Sequence, residues 1–138
     1  MLLSLARLAL IAALALPLAA AATPTPDWDS LSDVGTIEVI TEDPDGEPRE
    51  TKIWLAVVDG QGFIRTGSSR WGEDIERNPD VVLRIDGVEY PLRAEFIEND
   101  EHREQIVAAF REKYGWVDGL LNVVRGKRPK IMHMVPRR

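Results

Sequence analysis

The chain has 138 residues, with 17 basic and 23 acidic side chains, a net charge of −6 at pH 7 and no cysteine. An acidic chain without a basic stripe is not expected to bind nucleic acid, and the lack of cysteine excludes disulfides and thiolate metal ligands. The length is that of a single domain.

The first 22 residues have the layout of a secretory signal peptide. One charge, Arg7, precedes an apolar run of Leu, Ala and Ile, and four alanines end the segment. Retention as a membrane anchor is the alternative, but the apolar stretch before Pro17 is short for a span. We expect export to the periplasm or the extracellular space, with no stable membrane anchor after cleavage. The remaining 116 residues carry 16 basic and 23 acidic side chains, a net charge of −7.

Residues 23–33 are predicted to form an N-terminal linker and a short helix, ahead of one folded domain at 34–138. The linker opens on alternating threonine and proline, a composition typical of an extended segment. Proline at the start of the helix and acidic residues in its first turn favour helix initiation there, and Trp28 is expected to pack inward.

Six strands are predicted from runs of alternating apolar and polar residues. They cover residues 34–41, 49–57, 63–66, 81–85, 88–97 and 129–135. The segments 43–46, 59–62 and 86–87 carry the Pro, Asp and Gly residues that hairpin turns require. In the fifth strand the residues expected to be buried are Val88, Tyr90, Leu92, Ala94 and Phe96.

Three helices are predicted between these strands. The first, 73–77, ends at Asn78 because the residue before a proline is disfavoured in the helical region. The second is capped by Asn99 or Asp100 and ended by Gly115; its apolar stripe is Ile106, Val107, Phe110 and Tyr114. The third covers 116–124. Together these elements predict a small mixed barrel with helices at its rim, whose closure would hide the sheet edges.

The loop from Thr66 to Arg70 is the strongest candidate for a binding site. Its Gly and Ser residues enter a helix beside an arginine, so backbone N–H groups, hydroxyls and a guanidinium can cradle a phosphate. The alternative is a helix-capping turn with solvated basic residues around it. His102 and His133 lack ligand partners at metal spacing, so no metal site is predicted. No nucleophilic triad or carboxylate pair is evident either, and no catalytic residue is assigned.

The order of elements resembles the flavin-binding split β-barrel group, which includes the pyridoxamine phosphate oxidases and the deazaflavin-dependent nitroreductases. The segments that carry this resemblance are RETKIW at 49–54, RTGSSRW at 65–71, ERNPDVVL at 76–83 and KYG at 113–115. It covers about residues 34–136. The resemblance implies a mainly β, α+β fold, namely a six-stranded split β-barrel with short helices at its rim, and a homodimer.

The resemblance also implies a cofactor, FMN or a deazaflavin, whose phosphate is held by basic and hydroxylated residues. The corresponding positions, with the loop around them, are Arg49, Thr51, Lys52, Thr66, Gly67, Ser68, Ser69, Arg70 and Trp71. In the oxidases a lysine follows the loop arginine, where this chain has Trp71. Trp54 and Trp71 could stack on a flat ring, although aromatic residues on barrel strands are more often part of the core.

Two functions therefore stay open. The first is an exported oxidoreductase in which a flavin or deazaflavin transfers a hydride or electrons to a small-molecule substrate. The second is a cofactor-free split barrel that serves as a binding or structural domain of the cell envelope, because a fold alone does not define a function. The joint presence of Arg49, the loop hydroxyls and Arg70 favours the first function. Trp71 favours the second. So does the lack of an Arg-Arg pair before the apolar run, which indicates export in unfolded form and a cofactor acquired only outside the cytoplasm.

Overall fold

The computed structural model describes residues 23–115 and 128–138. The predicted signal segment and the helix predicted at 116–124 lie outside the described residues. The described elements are a short 3-10 helix Trp28–Leu31, strands β1 Thr36–Glu42, β2 Pro48–Trp54, β3 Ala56–Val58 and β4 Gln61–Thr66, helix α1 Arg70–Arg77, strands β5 Asp80–Ile85 and β6 Val88–Phe96, helix α2 Asp100–Tyr114, and strand β7 Lys130–Pro136.

The strands form one antiparallel sheet in the order β2-β1-β5-β6-β7-β4-β3. Strands β2 and β3 lie at opposite edges of this sheet, yet only Leu55 separates them in the chain. The two edges must therefore meet, and the sheet curls into a half-barrel like a split barrel.

The prediction of six strands was wrong by one, because the strand predicted at 49–57 is two strands. Residues 48–54 pair with β1, whereas residues 56–58 turn to pair with β4. The alternation of apolar side chains continues through the break, so the sequence pattern could not reveal the change of partner.

Two side chains from the end of α2 form hydrogen bonds with the backbone at this break. The Tyr114 hydroxyl oxygen lies 3.0 Å from the Leu55 N–H nitrogen, from which it accepts, and 2.7 Å from the carbonyl oxygens of Gly35 and Leu55. The Lys113 ammonium donates to the carbonyls of Val34 and Leu55. Burial lowers the pKa of Lys113 and raises that of Tyr114. The KYG segment thus supplies hydrogen-bond partners to backbone groups at the break, where the Leu55 N–H and the Gly35 carbonyl otherwise share only a long bond of 3.4 Å.

The apolar residues separate into two clusters on opposite faces of the sheet. The larger one fills the inside of the curl and includes Trp71 and Ile75 of α1. The smaller one lies under α2, where Phe63 of β4 packs with Ile106 and Phe110. The predicted apolar stripe of α2 is confirmed, as are its N-cap, Asn99, and its C-terminal glycine. Strand β7 is buried on both faces because α2 covers the outer one.

The predicted turns are confirmed, but the burial predicted along β6 is wrong at both ends. A two-residue hairpin turn of type I′ requires positive φ at both of its central residues. Positive φ is found at Asp59 and Gly60 in one turn and at Asp86 and Gly87 in another. Within β6, Leu92 and Ala94 are buried as expected, whereas Val88 is 44% and Phe96 36% exposed. The strand extends at both ends beyond the core that covers its centre.

Trp28 packs against the inner cluster, as predicted. A Cβ atom at Gly62 would lie 2.4 Å from the Trp28 ring, so glycine is required where the 3-10 helix crosses β4. No helix among the described residues is long and apolar enough to cross a membrane.

Candidate functional site

The loop after β4 folds tightly onto the start of α1. Ser69 is the N-cap, and its hydroxyl accepts from the Gly72 N–H at 3.1 Å. The hydroxyls of Thr66 and Ser69 are hydrogen-bonded to each other. A Cβ atom at Gly72 would lie 2.9 Å from the Thr66 methyl, so glycine permits this close packing. The cap starts α1 at Arg70, three residues earlier than the predicted 73–77.

A buried carboxylate on α1 joins the helix to strands β1 and β2. Asp74 is 1% exposed and accepts hydrogen bonds from the Arg49 Nε and the Thr41 hydroxyl, each at 2.8 Å, and from Arg77. We call Thr41, Arg49, Asp74 and Arg77 the Asp74 cluster. Burial alone would raise the pKa of Asp74, but the bonds from Arg49, Thr41 and Arg77 outweigh it and lower the pKa below its ordinary value.

The Asp74 cluster lies on the same face of α1 as Arg70. Residues 70, 74 and 77 follow the spacing that places side chains on one side of a helix. Arg70 is exposed and makes no ion pair or side-chain hydrogen bond within 23–115 and 128–138. Arg77 lies in the last turn of α1, and the exposed carboxylate of Glu73 lies in the first. Near the start of α1, Arg49 and Arg70 therefore place two guanidinium groups beside the carboxylates of Asp74 and Glu73.

The guanidinium of Arg49 keeps donors for a further anion. A guanidinium has five N–H donors, and Asp74 is the only hydrogen-bond partner of Arg49 among the residues that the structure describes. Asp74 fixes one side of the group and leaves the other side free. Thr51 lies on the same face of β2, two residues away, and is half-buried.

Lys52 is not brought to this site. It lies on the opposite face of β2 from Arg49, across from Glu38 of β1. That face carries the ion pairs of Arg84 with Glu38, Glu50 and Glu89. In the loop itself, Gly67 is half-buried and Ser68 exposed.

Neither tryptophan presents an open ring. Trp71 is 8% exposed and belongs to the inner core cluster. Trp54 stacks on Tyr114 with 4.2 Å between ring centroids, and the Arg65 guanidinium lies 5.7 Å from its centroid. Both rings therefore pack within the protein, which matches the core alternative for their role.

No role was predicted from the sequence for Asp74, Thr41 or Arg77. One signal was available, because Asp74 stands three residues after Trp71 and one before Ile75, a spacing that puts it on the buried side of α1. A buried carboxylate needs hydrogen-bond or ion-pair partners. The arginines of the sequence are the side chains that could supply both.

The two histidines flank Phe63. The His133 ring stacks on it at 5.0 Å and the His102 ring meets its edge at 5.7 Å, centroid to centroid. Burial lowers the pKa of His133 despite the nearby Glu95, and the charge of His102 adds to this effect. Over the described ranges, no group of three or more His, Asp or Glu side chains is placed to hold a metal ion.

No protein-family model and no curated protein sequence matches the chain. Solved structures do match. The hypothetical protein Rv2991 from Mycobacterium tuberculosis aligns with a TM-score of 0.62 and 21% identity, over 86% of this chain and 84% of that one. The haem storage protein HutZ from Vibrio cholerae aligns with a TM-score of 0.61 and 16% identity, over 80% of this chain and 86% of HutZ. A candidate pyridoxamine 5′-phosphate oxidase from Listeria innocua aligns with a TM-score of 0.59 and 17% identity, over 80% of this chain and 94% of the oxidase.

These neighbours are split-barrel proteins of the pyridoxamine phosphate oxidase-like type. The resemblance inferred from the sequence is confirmed at the level of the fold. The protein is therefore a split β-barrel, in its seven-stranded form.

Proposed function

We propose that the protein binds a flavin or deazaflavin through its phosphate at the entrance of α1 and acts as an oxidoreductase on a small molecule. The observation that carries this proposal is that Asp74 holds Arg49 one helical turn after Arg70, at a helix whose start is capped by Ser69. Guanidinium groups and a helix N-terminus both favour a phosphate.

The residues present fit such a group in a defined way. Asp74 holds the Arg49 side chain in place, so binding would cost little of its rotamer entropy. Arg70 would close on the phosphate from the helix side, because no described residue competes for its guanidinium. The bound cofactor would supply the hydride or electron chemistry. The protein would bind the phosphate, orient the cofactor and set the electrostatic environment around it.

The alternative function is a cofactor-free barrel that serves as a binding or structural domain of the cell envelope. Two observations favour it: the hydroxyls of Thr66 and Ser69 are hydrogen-bonded to each other, and the Trp71 ring is in the core. Either function fits our further proposals of export to the periplasm or extracellular space and of a homodimer. Light scattering on the purified protein would test the dimer, and fractionation of cells would test export.

Calorimetric titration with FMN and with riboflavin tests the proposed phosphate site, since the two ligands differ only in the phosphate. We expect FMN to bind more tightly. Arg70→Glu should weaken FMN about tenfold or more, equivalent to about 1.4 kcal/mol, and leave riboflavin unchanged. Arg111→Glu, on an exposed position of α2, is the charge-matched control.

Arg49→Met is the second variant, because it removes the other guanidinium. Its effect on folding is measured separately, since Arg49 is also a hydrogen-bond partner of Asp74. Equal FMN affinity in the wild type and Arg70→Glu would refute the site. If the protein binds neither FMN, nor riboflavin, nor a phosphorylated deazaflavin, the cofactor-free alternative is favoured. Haem belongs in the same titration series, because the neighbour HutZ is a haem storage protein.

A further inference from the structure

A widely open pocket of about 460 Å³, called the cavity below, lies at the other end of α1 from Arg70. Its wall is formed by Glu76 of α1, the last residue of β6 and the segment after it, the start of α2, and the start of β7 with the two residues before it. The volume is in the range of small-molecule sites. The exposed ring of Phe96 is part of its wall, with Ile97 and Ile131 beside it.

A buried arginine in this wall has no counter-ion. Arg103 is 9% exposed, and its only hydrogen bond with described residues runs from Nη2 to the Pro129 carbonyl at 2.5 Å. It forms no ion pair within the described parts of the chain. Buried arginines are almost always paired, because an unpaired charge away from water is costly.

The other charges around the cavity do not neutralise Arg103. Arg128 pairs with Asp100, and Lys130 pairs with Glu76. Glu98 is exposed and makes no ion pair with a described residue. The buried guanidinium therefore keeps N–H donors for an anion that enters the cavity.

We infer that this cavity binds a small organic carboxylate with an apolar body. The planar fork of a guanidinium matches a carboxylate with two parallel hydrogen bonds. The apolar body would lie against Phe96 and Ile97, and cover the one large aromatic ring that the described sheet leaves exposed. The inference is independent of the phosphate site at the entrance of α1.

Nuclear magnetic resonance on the wild-type protein tests this directly. Benzoate is the probe, and benzamide, which has the same shape without the charge, is the matched ligand. We expect benzoate to shift the methyl resonances of Ile97 in a saturable way. Benzamide should bind at least about tenfold more weakly than benzoate, a difference of about 1.4 kcal/mol. Equal effects of the two probes, or no effect of benzoate, would overturn the inference. So would inorganic phosphate binding as tightly as benzoate, because it has no apolar body.

Variants of Arg103 separate a binding role from a purely structural tether to Pro129. Arg103→Met keeps the apolar stem and should lose about tenfold or more in benzoate affinity, whereas Arg111→Met, on an exposed position of the same helix, should bind as the wild type does. Arg103→Lys should bind benzoate several-fold more weakly, since an ammonium cannot form the paired bonds. Unchanged affinity in Arg103→Met or Arg103→Lys would overturn the inference. If both variants fail to fold, the wild-type comparison of benzoate with benzamide decides.

Discussion

Replacing Asp74 with alanine tests the structural basis of the α1 site. The change removes a carboxylate that accepts hydrogen bonds from two arginines and one threonine. Breaking a buried ion pair by removing one partner costs about 3–5 kcal/mol. Arg77 is 45% exposed in its side chain and Arg49 is partly exposed, so both can turn toward water. We therefore expect a loss near the lower limit, about 3 kcal/mol.

Asp74→Asn is the milder variant and reveals the role of the charge. The amide keeps one acceptor oxygen, and we expect a loss of about 1–2 kcal/mol at neutral pH, the scale of hydrogen bonds to charged groups. The pKa of Asp74 is lowered in the folded protein. Its stabilisation is therefore fully present above the ordinary aspartate pKa of about 3.9 and is lost as pH falls through the lowered folded value.

The assay is urea unfolding of the wild type and both variants at several pH values, with the denaturant slope checked for constancy. The difference between the wild type and Asp74→Asn should stay constant from about pH 7 to 5 and shrink below about pH 4, where the unfolded state takes up protons first. A loss of under about 0.5 kcal/mol in Asp74→Ala, the size of an ordinary surface change, would refute the reasoning. A pH-independent difference would refute the role of the charge.

Two further substitutions test the fold. Tyr114→Phe removes the hydroxyl that pairs with backbone groups at the strand break and should cost about 1–3 kcal/mol in urea unfolding; Tyr90→Phe, whose hydroxyl has no described partner, is the control and should change little. Gly62→Ala should displace the Trp28 ring, seen as a change in near-ultraviolet circular dichroism, and cost about 1–3 kcal/mol. Gly35→Ala, where a Cβ meets nothing within 4 Å, should leave that signal intact; an unchanged spectrum in Gly62→Ala would contradict the packing described.

Local patterns predicted most of the secondary structure. Each hairpin turn carries its own Gly at positive φ, and the apolar stripe and caps of α2 lie within one stretch of sequence. These features depend on neighbours along the chain, so the sequence shows them directly.

The features that the sequence did not show depend on partners distant in the chain. The break at Leu55 exists because the two edges of the sheet meet there, and Lys113 and Tyr114 that seal it come from nearly 60 residues further along. The same holds at the candidate site. The loop hydroxyls were candidates because of their residue types and Arg49 because of the family resemblance, but the carboxylate that anchors Arg49 lies 25 residues away. Lys52 was a candidate through the family resemblance alone, and the alternation along β2 puts it on the opposite face of the strand from Arg49.

The most direct test of the proposed function is the visible absorption spectrum of the purified protein, followed by thermal unfolding with FMN, FAD and a deazaflavin added separately. The proposal predicts a flavin-like spectrum, or a midpoint that one of these cofactors raises and that keeps rising with its concentration, as mass action requires. A colourless protein whose midpoint is indifferent to all three would contradict it.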